Sequence, residues 1–270
     1  MTSPVDIIIV SYNTRAALLE CLASVALHPP TTPGRVWVVD NASGDGSVAA
    51  VRAAWPRVDV LALERNVGFG TANNVAIRAS TAPLVLLLNS DTVVGPGAID
   101  ALVARLVETG AVAAGPRLVN ASGRPEISYG RMLSPLHEII QLVRQRAAAS
   151  SSPLAQRYAA RLVDRERVAD WVSGACLLVR REAALAAGLF DERYFLYEED
   201  VDFCAALRAN GGRILFTPRA QIVHLRGQSA GASPAPRQSA YDRSHLAFYR
   251  KHLPAWAPVL RWWQRRRGRQ

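Results

Sequence analysis

The sequence LVLLLNSDT at residues 84–92 is the clearest indication of the fold, because an uninterrupted apolar run leads directly into a polar turn. Such a run is typical of a strand that is buried on both faces, as in a parallel sheet covered by helices. The turn carries Asn89 and Asp91, and an acid at the end of a buried strand indicates a ligand site. A turn-forming or helix-capping role for these side chains is the alternative.

Similar units surround this strand. Strand-like runs at residues 5–10, 35–39 and 58–63 are each followed by a helix-like stretch, at residues 15–27, 48–55 and 70–79, and a further helix is expected at residues 96–107. This alternation predicts an α/β protein with a Rossmann-like, mostly parallel central sheet flanked by helices. Polar side chains follow the strands at residues 11–13, 40–41 and 89–91, so we expect them to share one ligand crevice.

The second half of the chain is less regular. Strands are expected at residues 111–114, 118–119, 171–180, 214–216 and 222–224, and helices at residues 182–187 and 201–210. An Arg-rich helical stretch at residues 138–167 is interrupted at residues 150–153, and two helical pieces follow a long loop between His224 and Tyr241. We divide the chain into one domain at residues 1–230 and a loop with a basic helical tail (231–270). The first half of the domain (1–110) resembles a nucleotide-binding unit, and the second half is residues 111–230.

The positive charge is concentrated at one end of the chain. The net charge is +10, yet residues 1–218 contain 21 basic and 21 acidic residues, whereas residues 219–270 contain 11 basic residues and one Asp. A neutral body disfavours a broad nucleic-acid-binding face, so we expect no nucleic-acid partner. The tail LRWWQRRRGR at residues 260–269 interleaves Trp with Arg, which suits an anionic membrane surface; a solvated tail and an RNA-binding tail are the alternatives.

No export signal is visible at the N-terminus, and the longest apolar run, at residues 82–88, is far shorter than the ~20 residues that span a bilayer. We therefore expect a cytoplasmic protein that is attached peripherally to the inner face of the cell membrane. Cys21, Cys176 and Cys204 are widely spaced and are expected to be buried, reduced thiols.

Two further features carry chemistry. The sequence YEEDVD at residues 197–202 has four carboxylates in five residues, so it faces water or works with a cation or a proton, unless the acids only stabilise a helix N-terminus. His224 ends a β-branched strand, where a lone His is often structural. A carboxylate and an imidazole together suit Mg²⁺ or Mn²⁺, and a further carboxylate free of the metal suits a general base.

An ordered set of motifs resembles glycosyltransferase family 2, whose members have the GT-A fold. The motifs are VSYN (10–13), VVDNASGDGS (38–47), ERNVGFGTANN (64–74), LLLNSDT (86–92), SGACLLVRR (173–181), FDERYFLYEEDVDFC (190–204) and HLRGQS (224–229). Asn89 stands at the first position of the family's DxD-type motif, as in the subgroup that resembles rhamnosyl- and galactofuranosyltransferases. The resemblance implies a GT-A fold with a C-terminal helical extension.

The resemblance also implies a donor site. Ser11 and Tyr12 would border the nucleotide base, and Asp40 would bind the base or the ribose. Asn66 and Asn73 would line the donor pocket, a loop or helix-cap role being the alternative. Asp91 would contact the metal and the donor, with His224 as the second metal ligand because Asn89 departs from the acidic pattern. Ser229 would help to stabilise the leaving diphosphate.

For the reaction, the resemblance implies that Asp200 is the catalytic base and that Glu199 orients the acceptor or tunes the base. Trp171 and Gly174 lie where the acceptor pocket would begin, although Trp171 also suits a core position. The implied activity is a metal-dependent, inverting transfer of a sugar from dTDP-rhamnose or a UDP-sugar to a cell-envelope polysaccharide or a polyprenyl-linked acceptor.

Two alternatives belong to other classes. A sugar nucleotidyltransferase normally has a basic, Gly-rich phosphate loop near the N-terminus, and none is visible in this sequence. A non-catalytic nucleotide-sugar-binding protein would not need Asp91, Asp200 and His224 together.

Overall fold

The structure is a computed structural model that describes residues 3–225 and 234–267. The strands are β1 (Val5–Ser11), β2 (Pro33–Asp40), β3 (Asp59–Ala62), β4 (Leu84–Asn89), β5 (Thr92–Val94), β6 (Ala113–Val119), β7 (Pro125–Glu126), β8 (Tyr129–Gly130), β9 (Arg167–Ala169), β10 (Trp171–Val172), β11 (Cys176–Arg180) and β12 (Ile214–His224). The helices are α1 (Arg15–Leu27), α2 (Ser47–Ala54), α3 (Phe69–Ala79), α4 (Ala98–Thr109), α5 (Pro135–Ala149), α6 (Pro153–Leu162), α7 (Arg181–Ala186), α8 (Glu199–Ala209), α9 (Pro234–His252) and α10 (Ala257–Arg267).

A central sheet with the order β3-β2-β1-β4-β11-β6-β12-β5 organises the molecule. Strands β3, β2, β1 and β4 run parallel to one another, and β12 runs parallel to β6. Strand β11 is antiparallel to both of its neighbours, which joins the regular first half to the second half. The predicted α/β fold with helices flanking a central sheet is confirmed.

Helices cover both faces of this sheet. Along β1, Ile7 and Ile9 belong to one buried cluster and Ile8 and Val10 to the other, as expected when alternate side chains of a strand point to opposite faces. Leu18 of α1 and Leu102 of α4 lie in the first cluster, and Ile77 of α3 and Phe203 of α8 in the second. Burial on both faces explains the uninterrupted apolar runs of β1 and β4.

The strand register brings the polar strand ends together. Ser11 at the end of β1 pairs with Asp40 of β2, and the neighbouring residue Val10 pairs with Asn89 of β4. These ends lie at the carboxyl edge of the parallel strands, where ligands bind in open α/β sheets. The register therefore places these strand ends at one edge of the sheet, and a shared ligand crevice stays a prediction.

Some element boundaries differ from the sequence expectation. The strand expected at residues 171–180 is interrupted by a turn at residues 173–175, which separates β10 from β11. The strands expected at 214–216 and 222–224 are one strand, β12, with a shifted register between Thr217 and Gln221. The strands expected at 111–114 and 118–119 are likewise one strand, β6.

Helices α6 and α9 also pack on the sheet, because Ala159, Phe248 and Tyr249 belong to one of its buried clusters. Helices α5 and α6 correspond to the interrupted helical stretch, and helix α9 begins at Pro234, so the loop expected after His224 is shorter than predicted and falls partly outside the described residues. Within the described part of the chain, no helix combines the length and apolar character needed to cross a bilayer. The three cysteines are buried and unpaired, as predicted.

One buried acid stabilises the start of the sheet. Asp6 is 2% exposed, and its carboxylate accepts hydrogen bonds from the Arg35 amide (2.7 Å), the Trp37 indole (3.2 Å) and the Ser80 hydroxyl (2.7 Å). It therefore ties β1 to β2 and to the end of α3, far along the strand from the polar edge.

We expect Asp6→Ala to lower the free energy of unfolding by about 3 kcal/mol, because three buried donors lose a charged acceptor. The matched control is Asp59→Ala, which removes an exposed ion pair with Arg35 and is expected to cost less than about 1 kcal/mol. Urea unfolding of both variants measures the difference. Equal losses would contradict the role assigned to Asp6.

Candidate active site

The edge formed by β1 and β2 carries the residues predicted to bind the nucleotide. Asp40 is 2% exposed, and its Oδ2 accepts the Ser43 amide at 2.9 Å, while its Oδ1 is buried without a hydrogen-bond partner. The Ser11 hydroxyl lies 2.9 Å from the Thr14 hydroxyl, whereas the Tyr12 side chain is exposed. An unpartnered buried carboxylate oxygen is costly, so the oxygen of Asp40 is suited to accept a ligand donor.

The predicted donor-pocket asparagines shape the adjoining loop. The Asn66 side chain accepts the Asn41 amide NH₂ at 2.8 Å and the Gly68 amide at 3.0 Å. Asn73 donates to the Phe69 carbonyl at 3.0 Å, and its Oδ1 is buried without a partner. Asn66 thus has the loop-stabilising contacts of the alternative interpretation, while the free oxygen of Asn73 remains available to a ligand.

Asp91 and His224 lie beside each other at the opposite end of this edge. Strand β12 pairs with β5 so that His224 stands opposite Thr92, next to Asp91. His224 Nε2 lies 3.4 Å from Asp91 Oδ1, and that oxygen is buried and makes no hydrogen bond. The predicted pair is therefore brought together.

Glu126, which the sequence analysis did not identify, completes this cluster. It lies on β7, and its Oε2 is 3.1 Å from His224 Nδ1. Burial lowers the pKa of His224, but the carboxylates of Asp91 and Glu126 outweigh that effect and raise the pKa to about 9. No motif marks Glu126, because only the pairing of β7 with β6 places it near His224.

A divalent cation fits the chemistry of this cluster. A carboxylate oxygen and an imidazole nitrogen are ligands of Mg²⁺ and Mn²⁺, and Asp91 Oδ1 has no competing hydrogen bond. The described residues contain no ready-made group of three or more His, Cys, Asp or Glu ligands. The part of the chain that the structure describes thus offers an incomplete coordination shell.

Asp200 lies at the start of α8 and faces the turn between β10 and β11. Its Oδ2 accepts the Gly174 amide at 2.8 Å, and its Oδ1 accepts the Val201 amide at 2.9 Å. A Cβ at Gly174 would lie 3.2 Å from Asp200 Cβ, so glycine permits this close approach. Burial raises the pKa of Asp200, although the two amide hydrogen bonds act in the opposite direction.

The other acids of the run have different environments. Burial, reinforced by the neighbouring Asp200, raises the pKa of Glu199 well above its usual value, and Glu199 Oε2 has no hydrogen-bond partner. Burial raises the pKa of Glu198 to about 8. Asp202 instead accepts hydrogen bonds from Lys251 (2.8 Å) and His252 (2.6 Å). Asp202 therefore fastens α9 to α8.

The predicted acceptor residues are close to Asp200. Trp171 is 8% exposed, and its indole donates to the Arg131 carbonyl at 2.9 Å. It lines a cleft and also packs tightly on Gly130, where a Cβ would lie 2.7 Å from the ring. Ser229 lies outside the described residues.

One cleft of about 1160 Å³ connects these groups. Asn89, Asp91, His224, Glu199 and Asp200 line one part of it, and helices α5 and α10 line another. The predicted nucleotide residues Ser11, Tyr12, Asp40, Asn66 and Asn73 are not among its lining residues. Asp91 and His224 therefore mark the side of the cleft that adjoins the edge formed by β1 and β2.

Comparison with known proteins identifies relatives over most of the chain. The family model described as Glycosyl transferase family 2 matches residues 6–183. The chain is 34% identical over 281 residues to the N-acetylglucosaminyl-diphospho-decaprenol L-rhamnosyltransferase of Mycobacterium tuberculosis, a match that covers 97% of this chain and 89% of that protein. It is 27% identical over 250 residues to the O-antigen biosynthesis protein RfbC of Myxococcus xanthus, covering 89% of this chain and 19% of that protein.

Solved structures show the same fold at low sequence identity. GalNAc-T7 with UDP, GalNAc and Mn²⁺ superposes with a TM-score of 0.66 at 14% identity, covering 92% of this chain and 48% of the other. The mannosyltransferase PcManGT of Pyrobaculum calidifontis, in complex with GDP-Man and Mn²⁺, gives 0.62 at 17% identity, covering 95% and 68%. The predicted GT-A fold is confirmed.

The raised pKa of Glu198 predicts a pH-dependent stability. Folded Glu198 holds its proton up to about pH 8, whereas the unfolded side chain releases it near its ordinary pKa of 4.5, so the folded state binds more protons between these values. Raising the pH through this window therefore destabilises the wild-type protein relative to Glu198→Gln by about 1.4 kcal/mol per pH unit.

Urea unfolding of the wild-type protein and of Glu198→Gln at several pH values measures this difference. Glu192→Gln, which changes an exposed acid on the same segment, is the control and is expected to follow the wild type. Parallel stability curves for Glu198→Gln and the wild type would contradict the assigned pKa.

Proposed function

Since this chain belongs to glycosyl transferase family 2, we propose that it moves a sugar from a nucleotide-diphosphate donor to a hydroxyl of a lipid-linked or cell-envelope polysaccharide acceptor. The family membership supports a glycosyltransferase over a sugar nucleotidyltransferase or a non-catalytic binding protein. The observation that carries the proposal is the position of Asp200, which shares one cleft with Asp91 and His224 and is held there by the Gly174 amide.

The proposed donor is dTDP-rhamnose or a UDP-sugar. The 34% identity to a rhamnosyltransferase supports rhamnose. Ser11 and Tyr12 would border the base. The free Oδ1 of Asp40 would accept a hydrogen bond from the base or the ribose, and the free Oδ1 of Asn73 would accept another from the donor. Asn66 and Asn89 would contribute the remaining contacts at this edge.

Asp91 and His224 would hold a Mg²⁺ or Mn²⁺ ion between the chain and the donor. When bound, the ion neutralises the charge of the diphosphate and stabilises it as a leaving group. Glu126 would orient His224 through Nδ1, because a hydrogen bond to one ring nitrogen determines how the other is presented. Ser229 is proposed as a further contact of the leaving diphosphate.

Asp200 would act as the general base. Its carboxylate takes the proton of the acceptor hydroxyl, whose oxygen attacks the anomeric carbon as the bond from that carbon to the diphosphate breaks. The new bond forms on the face opposite the leaving group, so the configuration inverts. A pKa raised by burial makes Asp200 a stronger base than an exposed carboxylate, since proton transfer is most effective when the pKa lies near the working pH.

The acceptor would enter beside Trp171 and Gly174, which border Asp200 in the cleft. A lipid-linked acceptor requires the protein at a membrane surface, which we propose to be the cytoplasmic face. Helix α10 supports this attachment, because Trp262 and Trp263 are exposed and stand among Arg261, Arg265 and Arg266. Indoles at headgroup depth and guanidinium groups on lipid phosphates stabilise such contacts.

We expect Asp200→Asn to reduce transfer by about a thousandfold, the contribution of a well-placed general base, while donor binding is retained. Asp59→Asn is the matched control, because it makes the same change at an acid outside the cleft lining, and it is expected to keep the wild-type rate. Radiolabelled sugar transfer measures the rates, and calorimetry measures donor binding. Loss of donor binding in Asp200→Asn would reassign Asp200 to the nucleotide site.

The metal assignment predicts that nucleotide binding depends on Asp91. With Mn²⁺ present, we expect either UDP or dTDP to bind, and we expect Asp91→Ala to weaken that binding at least about tenfold, or 1.4 kcal/mol. Calorimetric titrations with and without Mn²⁺ measure this, with Asp59→Ala as a control remote from the cleft. If the folded wild-type protein binds neither nucleotide, the nucleotide-donor proposal is wrong.

A further inference from the structure

The cleft extends beyond Asp200 into an apolar groove between α5 and α10. One wall consists of Leu133, Ile139 and Leu142, and the other of Val259, Leu260 and Trp263. The whole cleft, at about 1160 Å³, exceeds the roughly 300–1,000 Å³ of a typical small-molecule pocket. It therefore has room for more than the reacting sugars.

Helix α5 carries apolar side chains that are not buried against the rest of the protein. None of its 15 residues is fully buried, and Ile139 and Leu142, which line the cleft, are 61% and 45% exposed. Helices on globular proteins normally turn their apolar stripe towards the core. A contiguous exposed apolar stripe indicates a binding surface.

The helix is nevertheless held in a defined position. Glu138 accepts a hydrogen bond from the Tyr249 hydroxyl and lies 3.2 Å from His245 Nε2. Both partners are on α9. Lys251 of α9 also donates to Asp202, so α9 connects α5 to the acidic segment at residues 198–202. These pairings neutralise Glu138, and the neighbouring Ile139 and Leu142 side chains contribute an exposed apolar lining.

We propose that the groove between α5 and α10 binds the hydrocarbon chain of the lipid-linked acceptor. This inference rests on the proposed function, since it assigns the acceptor's headgroup to the part of the cleft that contains Asp200. A hydrocarbon chain needs apolar contact and no hydrogen bonds, which is what these walls provide. Continuity of the groove with the cleft at Asp200 favours the chain of a bound substrate over an unrelated partner.

The test compares two probes with the same diphosphate and different chains, geranylgeranyl diphosphate and isopentenyl diphosphate, both below micellar concentration. Binding is measured by calorimetry and by the fluorescence of Trp256 and Trp263, which line the groove. The wild-type protein is expected to bind the long-chain probe at least about tenfold more tightly than the short-chain probe. Burial of an apolar area as large as one Leu or Phe side chain is enough to produce this ratio.

The double variant Ile139→Gln/Leu142→Gln is expected to lose this preference, and Val259→Gln on the opposite wall is expected to reduce it. The matched control is Leu27→Gln/Val107→Gln, which changes two exposed apolar residues on α1 and α4 and is expected to keep the wild-type ratio. Glutamine is a good helix former, so an unchanged urea midpoint verifies that each variant folds.

An unchanged ratio in the double variant, or no chain preference in the wild type, would overturn the proposal. Sedimentation with phosphatidylglycerol vesicles tests the alternative that α5 contacts the bilayer. If the double variant loses vesicle binding but keeps the probe ratio, this alternative is correct and the groove proposal is wrong. Failure of the proposed function would be visible separately, as absent nucleotide binding by a protein that still prefers the long-chain probe.

Discussion

The turn at residues 173–175 is the constraint on which the rest of the site depends. Its Gly174 amide donates to Asp200 at 2.8 Å, and its Ala175 carbonyl accepts the Asn89 amide at 3.0 Å. The same few backbone atoms therefore hold the start of α8 and the end of β4. The position of the Asp200 carboxylate is coupled to that of the Asn89–Asp91 turn through these two hydrogen bonds.

The acidic side chains near this turn fall into two groups with different electrostatic environments. Glu198 and Glu199 are buried and Asp200 is half-buried, and none of the three has a cationic hydrogen-bond partner among the described residues, so burial raises the pKa of each. Asp202, two residues later, is paired with Lys251 and His252. A run of like charges is tolerated because part of it stays protonated and part of it is neutralised by α9.

The two ends of the cleft differ in chemistry, and this difference orients a substrate. At one end, carboxylates and His224 suit a cation and a diphosphate; at the other, Ile139, Leu142 and Trp263 suit a hydrocarbon chain. A molecule with a polar head and an apolar tail has a single favourable direction in such a cleft. Helix α9 contributes to both ends, since it pairs with Asp202 through Lys251 and with Glu138 of α5 through His245.

Much of the fold could be predicted from local patterns. The apolar runs of β1 and β4 indicate strands buried on both faces, and the polar residues after them indicate a shared edge, because burial and strand direction leave a signal within a few consecutive residues. The ordered motifs likewise identified the family, and they predicted Asp91, Asp200 and His224 as site residues. These conclusions need no knowledge of which distant segments meet.

The tertiary structure decided the contacts between distant segments. Glu126 reaches His224 across 98 residues, and the Gly174 amide reaches Asp200 across 26, because strand register and the interruption after β10 bring them together. The exposure of α5 also depends on the tertiary structure. An amphipathic pattern shows which face of a helix is apolar, but it does not show what packs against that face. The hydrophobic periodicity of a segment reflects the environment of that one helix or strand, whereas the pairing between helices and strands depends on the path of the whole chain.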